Sequence, residues 1–238
     1  MAYGSQPRWT DRSAATQVDI DVGLRDYMLR IYNYMASALA LTGIVAYVFA
    51  YSGMYMSVAR TPVIWLIILA PLGLVMLLSF GIQRLSAAAA QGIFWLYAAL
   101  MGISMASLFL RFTGTSIAEV FFITAAMFAG MSLYGYTTRR DLSQFGAFLF
   151  MGLIGIVIAG LVNMFLHSTA LQMTVSVMGV IVFTGLTAYD TQRIKAIYVY
   201  GDDGAVAGKK SILGALALYL DFLNLFMSLL TLLGDRRR

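Results

Sequence analysis

Two aspartates stand inside segments that are otherwise apolar. Asp221 interrupts the apolar run from Ser211 to Leu233, and Asp190 lies in FTGLTAYDTQRIK near the end of the preceding apolar segment. A helix over the last run would be roughly 34 Å long at ~1.5 Å per residue, which is enough to cross a bilayer. A charge at the membrane centre costs about 2.5–3.5 kcal/mol on insertion scales. Asp221 is therefore a candidate functional residue.

The pair could sense protons if the two side chains meet. Two carboxylates close together in a low dielectric cannot both ionise cheaply, so a shared proton would hold their helices together. Loss of that proton would separate the helices or recruit a cation, and calcium prefers oxygen ligands. Asp190, Asp221, Asn224 and backbone carbonyls would make a weak calcium site, suited to passage rather than storage. Contact requires an offset between the two helices or a cavity that reaches in from the cytoplasm, because Asp190 is near a span end and Asp221 near mid-span.

Other polar residues could support the pair. On a helix, Asn224 shares a small and polar face with Asp221, and Thr187 lies one turn before Asp190. Arg84 ends the second apolar segment and is the best-placed candidate counter-ion, although snorkelling to the interface explains it as well. A buried aspartate can also be a packing residue satisfied by a neighbouring donor, and for Asp190 that interpretation has equal weight.

Composition excludes several classes of site and places the chain in a membrane. The chain is 61% hydrophobic and only 11% charged, whereas soluble domains carry about a quarter charged residues. The absence of cysteine excludes thiol catalysis and thiolate metal sites, and His167 is the sole histidine, so multi-histidine metal sites are excluded too. The net charge of +5 is spread between apolar runs and does not predict nucleic-acid binding. We expect no cofactor and no enzymatic activity.

The apolar runs predict an all-α membrane protein with seven spanning helices. Short linkers leave no room for a second domain, so residues 26–238 form one transmembrane domain. Residues 1–25 lack the apolar core of a signal peptide and are predicted to be a retained, partly disordered cytoplasmic tail. The predicted spans are 30–51, 62–83, 89–110, 117–137, 144–166, 172–192 and 211–233.

The distribution of Lys and Arg predicts the orientation. With the amino terminus inside, eleven of the sixteen basic residues fall on the cytoplasmic side. The carboxyl terminus is then outside, although the terminal Arg236, Arg237 and Arg238 argue the other way. If the last segment did not cross fully, those arginines would be cytoplasmic.

Three stretches resemble the Bax inhibitor-one/YccA family: FTGLTAYDTQRIK, ALALYLDFLNLF, and SLYGYTTRRDLS between the fourth and fifth spans. The resemblance covers the chain from about residue 24, and its details look bacterial, which places the chain in an inner membrane. It implies two layers of three helices around the carboxyl-terminal helix, and a pH-sensitive calcium leak with a sensor of paired aspartates at Asp190 and Asp221. It also implies an arginine partner for the pair, for which Arg84 is the nearest match.

Three functions follow as hypotheses. The leading one is a proton-gated, calcium-permeable leak channel or exchanger. The second is a regulatory protein that binds a membrane-anchored protease of the FtsH type through its polar tail. The third, an intramembrane aspartyl protease, is weakest, because YLDFLN lacks the Gly-x-Gly-Asp context of that class.

Overall fold

The fold is described from a computed structural model, which covers the backbone of residues 9–237 and the side chains of residues 22–237. Three helices begin at a hydroxyl residue whose oxygen accepts a backbone N–H of the first turn, which satisfies a donor that the helix leaves unpaired. These caps are Ser86, Thr113 and Ser168. The helices are α1 (Trp9–Tyr51), α2 (Met54–Ala59), α3 (Val63–Gly81), α4 (Ala87–Arg111), α5 (Gly114–Thr137), α6 (Ser143–Leu166), α7 (Thr169–Ala196) and α8 (Gly204–Leu233).

Seven of these helices are long and apolar enough to cross a membrane, by the length and composition of the part of the chain that the structure describes. This confirms the predicted all-α class and number of spans. Most ends differ from the prediction by three residues or fewer. The exceptions are the additional short helix α2 in the first linker, the end of α7 at Ala196, and the early starts of α1 and α8.

The early start of α1 concerns the predicted tail, residues 1–25. Its residues 1–8 lie outside the described part, and the helical backbone begins at Trp9 rather than near residue 30. No proline or glycine stands between Pro7 and Gly23 to interrupt a helix there. Polarity alone set the predicted boundary, and polarity does not prevent a helix from continuing beyond a membrane.

The spanning helices form two layers of three with α8 between them, which confirms the predicted architecture. In one layer α4 packs against α1 and α3, and in the other α7 packs against α5 and α6. Helix α8 contacts α1, α4, α5 and α7, and 14 of its 30 residues are buried. The outer helices α3 and α6 turn most of their apolar side chains outward, as expected where lipid is the solvent.

One buried hydrogen-bond chain ties α8 to the first layer. The hydroxyl of Thr42 donates to the carbonyl of Ala98 at 2.9 Å, and its oxygen lies 2.7 Å from the hydroxyl of Tyr219. Because the single proton of Thr42 goes to Ala98, Tyr219 donates to Thr42. Three helices thus satisfy one another's polar groups in a core that is otherwise apolar.

Candidate functional site

Asp190 and Asp221 meet because α7 and α8 are offset along their axes. The ammonium of Lys210 donates to the carbonyl of Ile197 at 3.0 Å, so the turns of α8 before Lys210 project beyond the end of α7. From that level α8 rises about 16 Å to Asp221, and α7 rises about 10 Å to Asp190. The side chains span the remaining difference in height, and the two carboxyl groups come within hydrogen-bonding reach of each other.

The pair lines a cavity of about 570 Å³ bounded by three helices. Helix α7 forms the floor, α6 forms one wall and α8 the other, because α6 and α8 each pack on α7 and do not pack closely on each other. The cavity extends to Ser143 at the start of α6 and Arg193 near the end of α7. It therefore reaches the end of the bundle at which α8 begins, which is the predicted cytoplasmic end.

A hydrogen bond between two carboxyl groups needs a proton on one of them. Asp221 is 4% exposed, and its Oδ2 atom has no hydrogen-bond partner among the described residues. Asp190 is half-buried. An oxygen so deeply buried is costly when it is left unpaired.

Asn224 supplies a third oxygen at the same cavity. Its amide nitrogen donates to the carbonyl of Leu220 at 2.8 Å, one turn earlier on α8. That bond fixes the amide, and its carbonyl oxygen makes no hydrogen bond to another described residue. Asp190, Asp221 and Asn224 therefore offer oxygen ligands to one space.

The remaining predicted site residues are not at the pair. Arg84 is exposed at the end of α3 and does not line the cavity. Thr187 is buried, and its hydroxyl donates to the carbonyl of Phe183 rather than to a carboxylate. The cation that interacts with Asp190 is Arg193, three residues later on α7. Sequence reasoning missed Arg193, although a spacing of three on a helix places two side chains on one face.

Beyond Asp221, aromatic side chains close the space between α5 and α8. The ring centroid of Phe222 lies 5.4 Å from that of Phe121 and 5.6 Å from that of Phe128. Phe226, one turn further on, lies 6.4 Å from Phe121. These rings pack on the α5 side of α8, and none of them lines the cavity of the acidic pair.

The residues suit a weak cation site rather than a strong one. In the described part of the chain, no three His, Asp or Glu side chains cluster so that they could hold a metal ion. Two carboxylates and an amide oxygen are fewer charged ligands than a storage site for calcium uses.

Comparison with known proteins identifies the family. The profile described as "Inhibitor of apoptosis-promoting Bax1" matches residues 24–238. The chain is 52% identical to the protein called inner membrane protein YbhL of Escherichia coli K12, over 90% of this chain and 94% of that protein. It is 48% identical to protein RP147 of Rickettsia prowazekii over 91% and 92% of the two chains. It is also 43% identical to a protein of Deinococcus radiodurans over 90% and 92%. This seven-helix membrane protein belongs to the Bax inhibitor-1/YccA family.

Proposed function

We propose that this protein is a pH-sensitive, calcium-permeable leak channel or exchanger of a bacterial inner membrane, gated by a proton shared between Asp190 and Asp221. The observation that carries the proposal is the approach of the two carboxyl groups inside one cavity. The membrane assignment draws on the name of the Escherichia coli relative, inner membrane protein YbhL.

The shared proton holds α7 and α8 together through a hydrogen bond between the two carboxyl groups. While it is present, α7 and α8 are joined at Asp190 and Asp221 and the pair carries a single negative charge. When it leaves, two like charges face each other in a poorly hydrated space, and their repulsion is relieved by separation of the helices or by a cation. Either outcome favours cation entry at high pH.

The cavity gives a cation a place to bind, and movement of α8 would change the packing of the rings between α5 and α8. A calcium ion entering from the Ser143 end would find the carboxylates of Asp190 and Asp221 and the carbonyl oxygen of Asn224. On the α5 side of α8, the rings of Phe121, Phe128 and Phe222 pack together and offer no oxygen ligand. Movement of α8 would displace these rings, because Phe222 follows Asp221 directly in the helix.

Calcium flux into liposomes that contain the purified protein tests the proposal. Asp221→Asn keeps the size of the side chain and can donate permanently to the carboxylate of Asp190, so it mimics the protonated pair. We expect flux through this variant to stay low at every pH. Glu119→Gln is the matched control, since Glu119 is an exposed carboxylate at the start of α5, and it should leave flux unchanged. Equal flux for the native protein and Asp221→Asn at all pH values would sink the proposal.

A further inference from the structure

The linker between α5 and α6 is held in one conformation by Gln192 of α7. The side-chain carbonyl of Gln192 accepts the backbone N–H of Leu142 at 2.9 Å, and its amide nitrogen donates to the carbonyl of Arg140 at 2.8 Å. Both hydrogen-bonding groups of the glutamine are therefore used to fix this linker. The positions of the neighbouring arginines follow from a defined backbone rather than from a loose loop.

Three arginines line a cavity of about 330 Å³ beneath this linker. Arg139 and Arg140 come from the linker and Arg193 from α7. Within the described part of the chain, none of their guanidinium groups forms a hydrogen bond or a close ion pair with another side chain or carbonyl, and Arg193 interacts with Asp190 only at longer range. Like charges gathered around one cavity repel each other, and an anion bound between them would relieve that repulsion.

The cavity also contains one acidic residue, Asp141. A side-chain and a backbone hydrogen bond from Ser143 hold the pKa of Asp141 below its ordinary value, so this carboxylate is ionised at neutral pH. Its Oδ1 atom accepts the backbone N–H of Ser143 at 2.9 Å, at the first residue of α6. Asp141 thus accepts a backbone N–H at the start of α6. The cavity lining contains three arginines and only this one carboxylate.

The surroundings of the cavity favour a lipid over a free anion. The linker joins two membrane-spanning helices, so the cavity lies at the level of the lipid headgroups. Immediately after it, α6 exposes the large apolar side chains of Phe145 and Phe148, which are 65% and 66% accessible. The arginine-lined cavity would bind an anionic headgroup, and the apolar outer face of α6 would contact the acyl chains of the same lipid.

We propose that Arg139, Arg140 and Arg193 bind the phosphate of an anionic phospholipid of the membrane leaflet at this end of the bundle, with its acyl chains along the outer face of α6. Guanidinium groups suit this ligand because each can offer two parallel N–H donors to phosphate oxygens. The inference does not rest on the calcium leak, since the site would be occupied whether or not ions pass. Arg193 also lines the cavity of the acidic pair, so the two sites are neighbours.

Native mass spectrometry of the full chain in a non-ionic detergent tests the site. The protein is titrated with phosphatidylglycerol and, separately, with phosphatidylcholine, and bound lipids are counted. We expect one phosphatidylglycerol to bind at least about tenfold more tightly than phosphatidylcholine, since each basic group near an anionic headgroup contributes severalfold. Arg139→Gln/Arg140→Gln should abolish this preference, and Arg139→Lys/Arg140→Lys should keep part of it.

A matched charge change at the opposite end of the bundle serves as control. Arg60 and Arg236 are both exposed there, and Arg60→Gln/Arg236→Gln should leave the preference for phosphatidylglycerol intact. Equal loss in both double variants would mean that only the net charge matters, and would overturn the site. Displacement of the lipid by millimolar inorganic phosphate would assign the arginines to a free anion and overturn the lipid. Unchanged melting temperatures of both variants confirm that they fold.

Discussion

The ring of Tyr189 in α7 packs directly against Gly146 in α6. A Cβ atom added at position 146 would clash with a carbon of that ring, so no side chain fits unless the ring or one of the two helices moves. Tyr189 precedes Asp190 in the chain and lines the same cavity. Helix α6 makes its main contacts with α7, so this close approach sets the distance of the cavity wall from the acidic pair.

Gly146→Ala should therefore disturb both the stability of the protein and its site. Overpacking of this kind costs about 1–3 kcal/mol, and displacement of Tyr189 should change the pH profile of calcium flux. The control is Gly155→Ala on the same helix, where an added Cβ would meet nothing within 4 Å. It should keep or raise the melting temperature, because alanine favours a helix over glycine. Equal melting temperatures in detergent for the two variants would contradict the packing argument.

The buried hydrogen-bond chain through Thr42 predicts unequal costs for its two ends. Thr42→Val should destabilise the protein by about 1–3 kcal/mol, because it leaves the buried hydroxyl of Tyr219 without an acceptor. Tyr219→Phe should cost less, because Thr42 can still donate to the carbonyl of Ala98. Thermal unfolding of both single variants and of the double variant measures the coupling. A larger loss for Tyr219→Phe than for Thr42→Val would contradict this argument.

Flux through the native protein should rise with pH. Below the pH at which the shared proton dissociates, Asp190 and Asp221 are joined and the path is closed; above it, repulsion between them opens the path or recruits calcium. The rise should follow one proton, since the pair loses a single shared proton on opening. Liposomes with identical pH on both sides, assayed at several pH values, give the profile. A fall in flux as pH rises would reverse the sign of the proposed gate.

The orientation can be measured by cysteine labelling, because the native chain contains no cysteine. Gln144→Cys places a thiol at the exposed start of α6, and Thr115→Cys places one at the exposed start of α5, at the other end of the bundle. With the amino terminus inside, a membrane-impermeant maleimide added to intact spheroplasts should label position 115 and leave position 144 unlabelled. The opposite pattern would place the predicted cytoplasmic end outside.

Removal of residues 1–22 separates the leak from the alternative of protease regulation. The acidic pair and the contacts of α8 lie elsewhere in the chain, so we expect calcium flux to persist in the truncated protein. Association with a membrane-anchored protease of the FtsH type, if it occurs through the predicted tail, should be lost. Co-purification from membranes and liposome flux are measured on the same truncated protein. Loss of flux together with retained protease association would contradict both expectations.

The membrane spans and the unusual position of Asp221 can be predicted from the sequence, because both depend on local composition. Each spanning helix must bury its backbone polar groups within itself, so about twenty apolar residues in a row suffice to predict a span. The same local cost singles out Asp221, since a carboxylate surrounded by leucine and phenylalanine is conspicuous whatever the helix packs against. The predicted start of α8 is seven residues late, because Lys209 and Lys210 are typical of a loop between spans. In the structure these lysines lie on helical turns beyond α7 and bond to backbone carbonyls.

The partners of Asp221 depended on how the helices pack. Arg84 was a reasonable counter-ion by its position at a span end, yet α3 packs against α4 and leaves that arginine exposed, while Arg193 stands beside Asp190. The axial offset of α8, the close approach of α6 at Gly146, and the cavity between them arise from contacts between residues far apart in the chain. Hydropathy reports the free energy of transferring each segment into lipid and carries no information about which helix that segment packs against. The sequence by itself therefore determined which segments enter the membrane and which carboxylate is costly there. The tertiary structure alone decided that Asp190 shares its cavity, because helix association in lipid depends on shape and hydrogen bonding between surfaces.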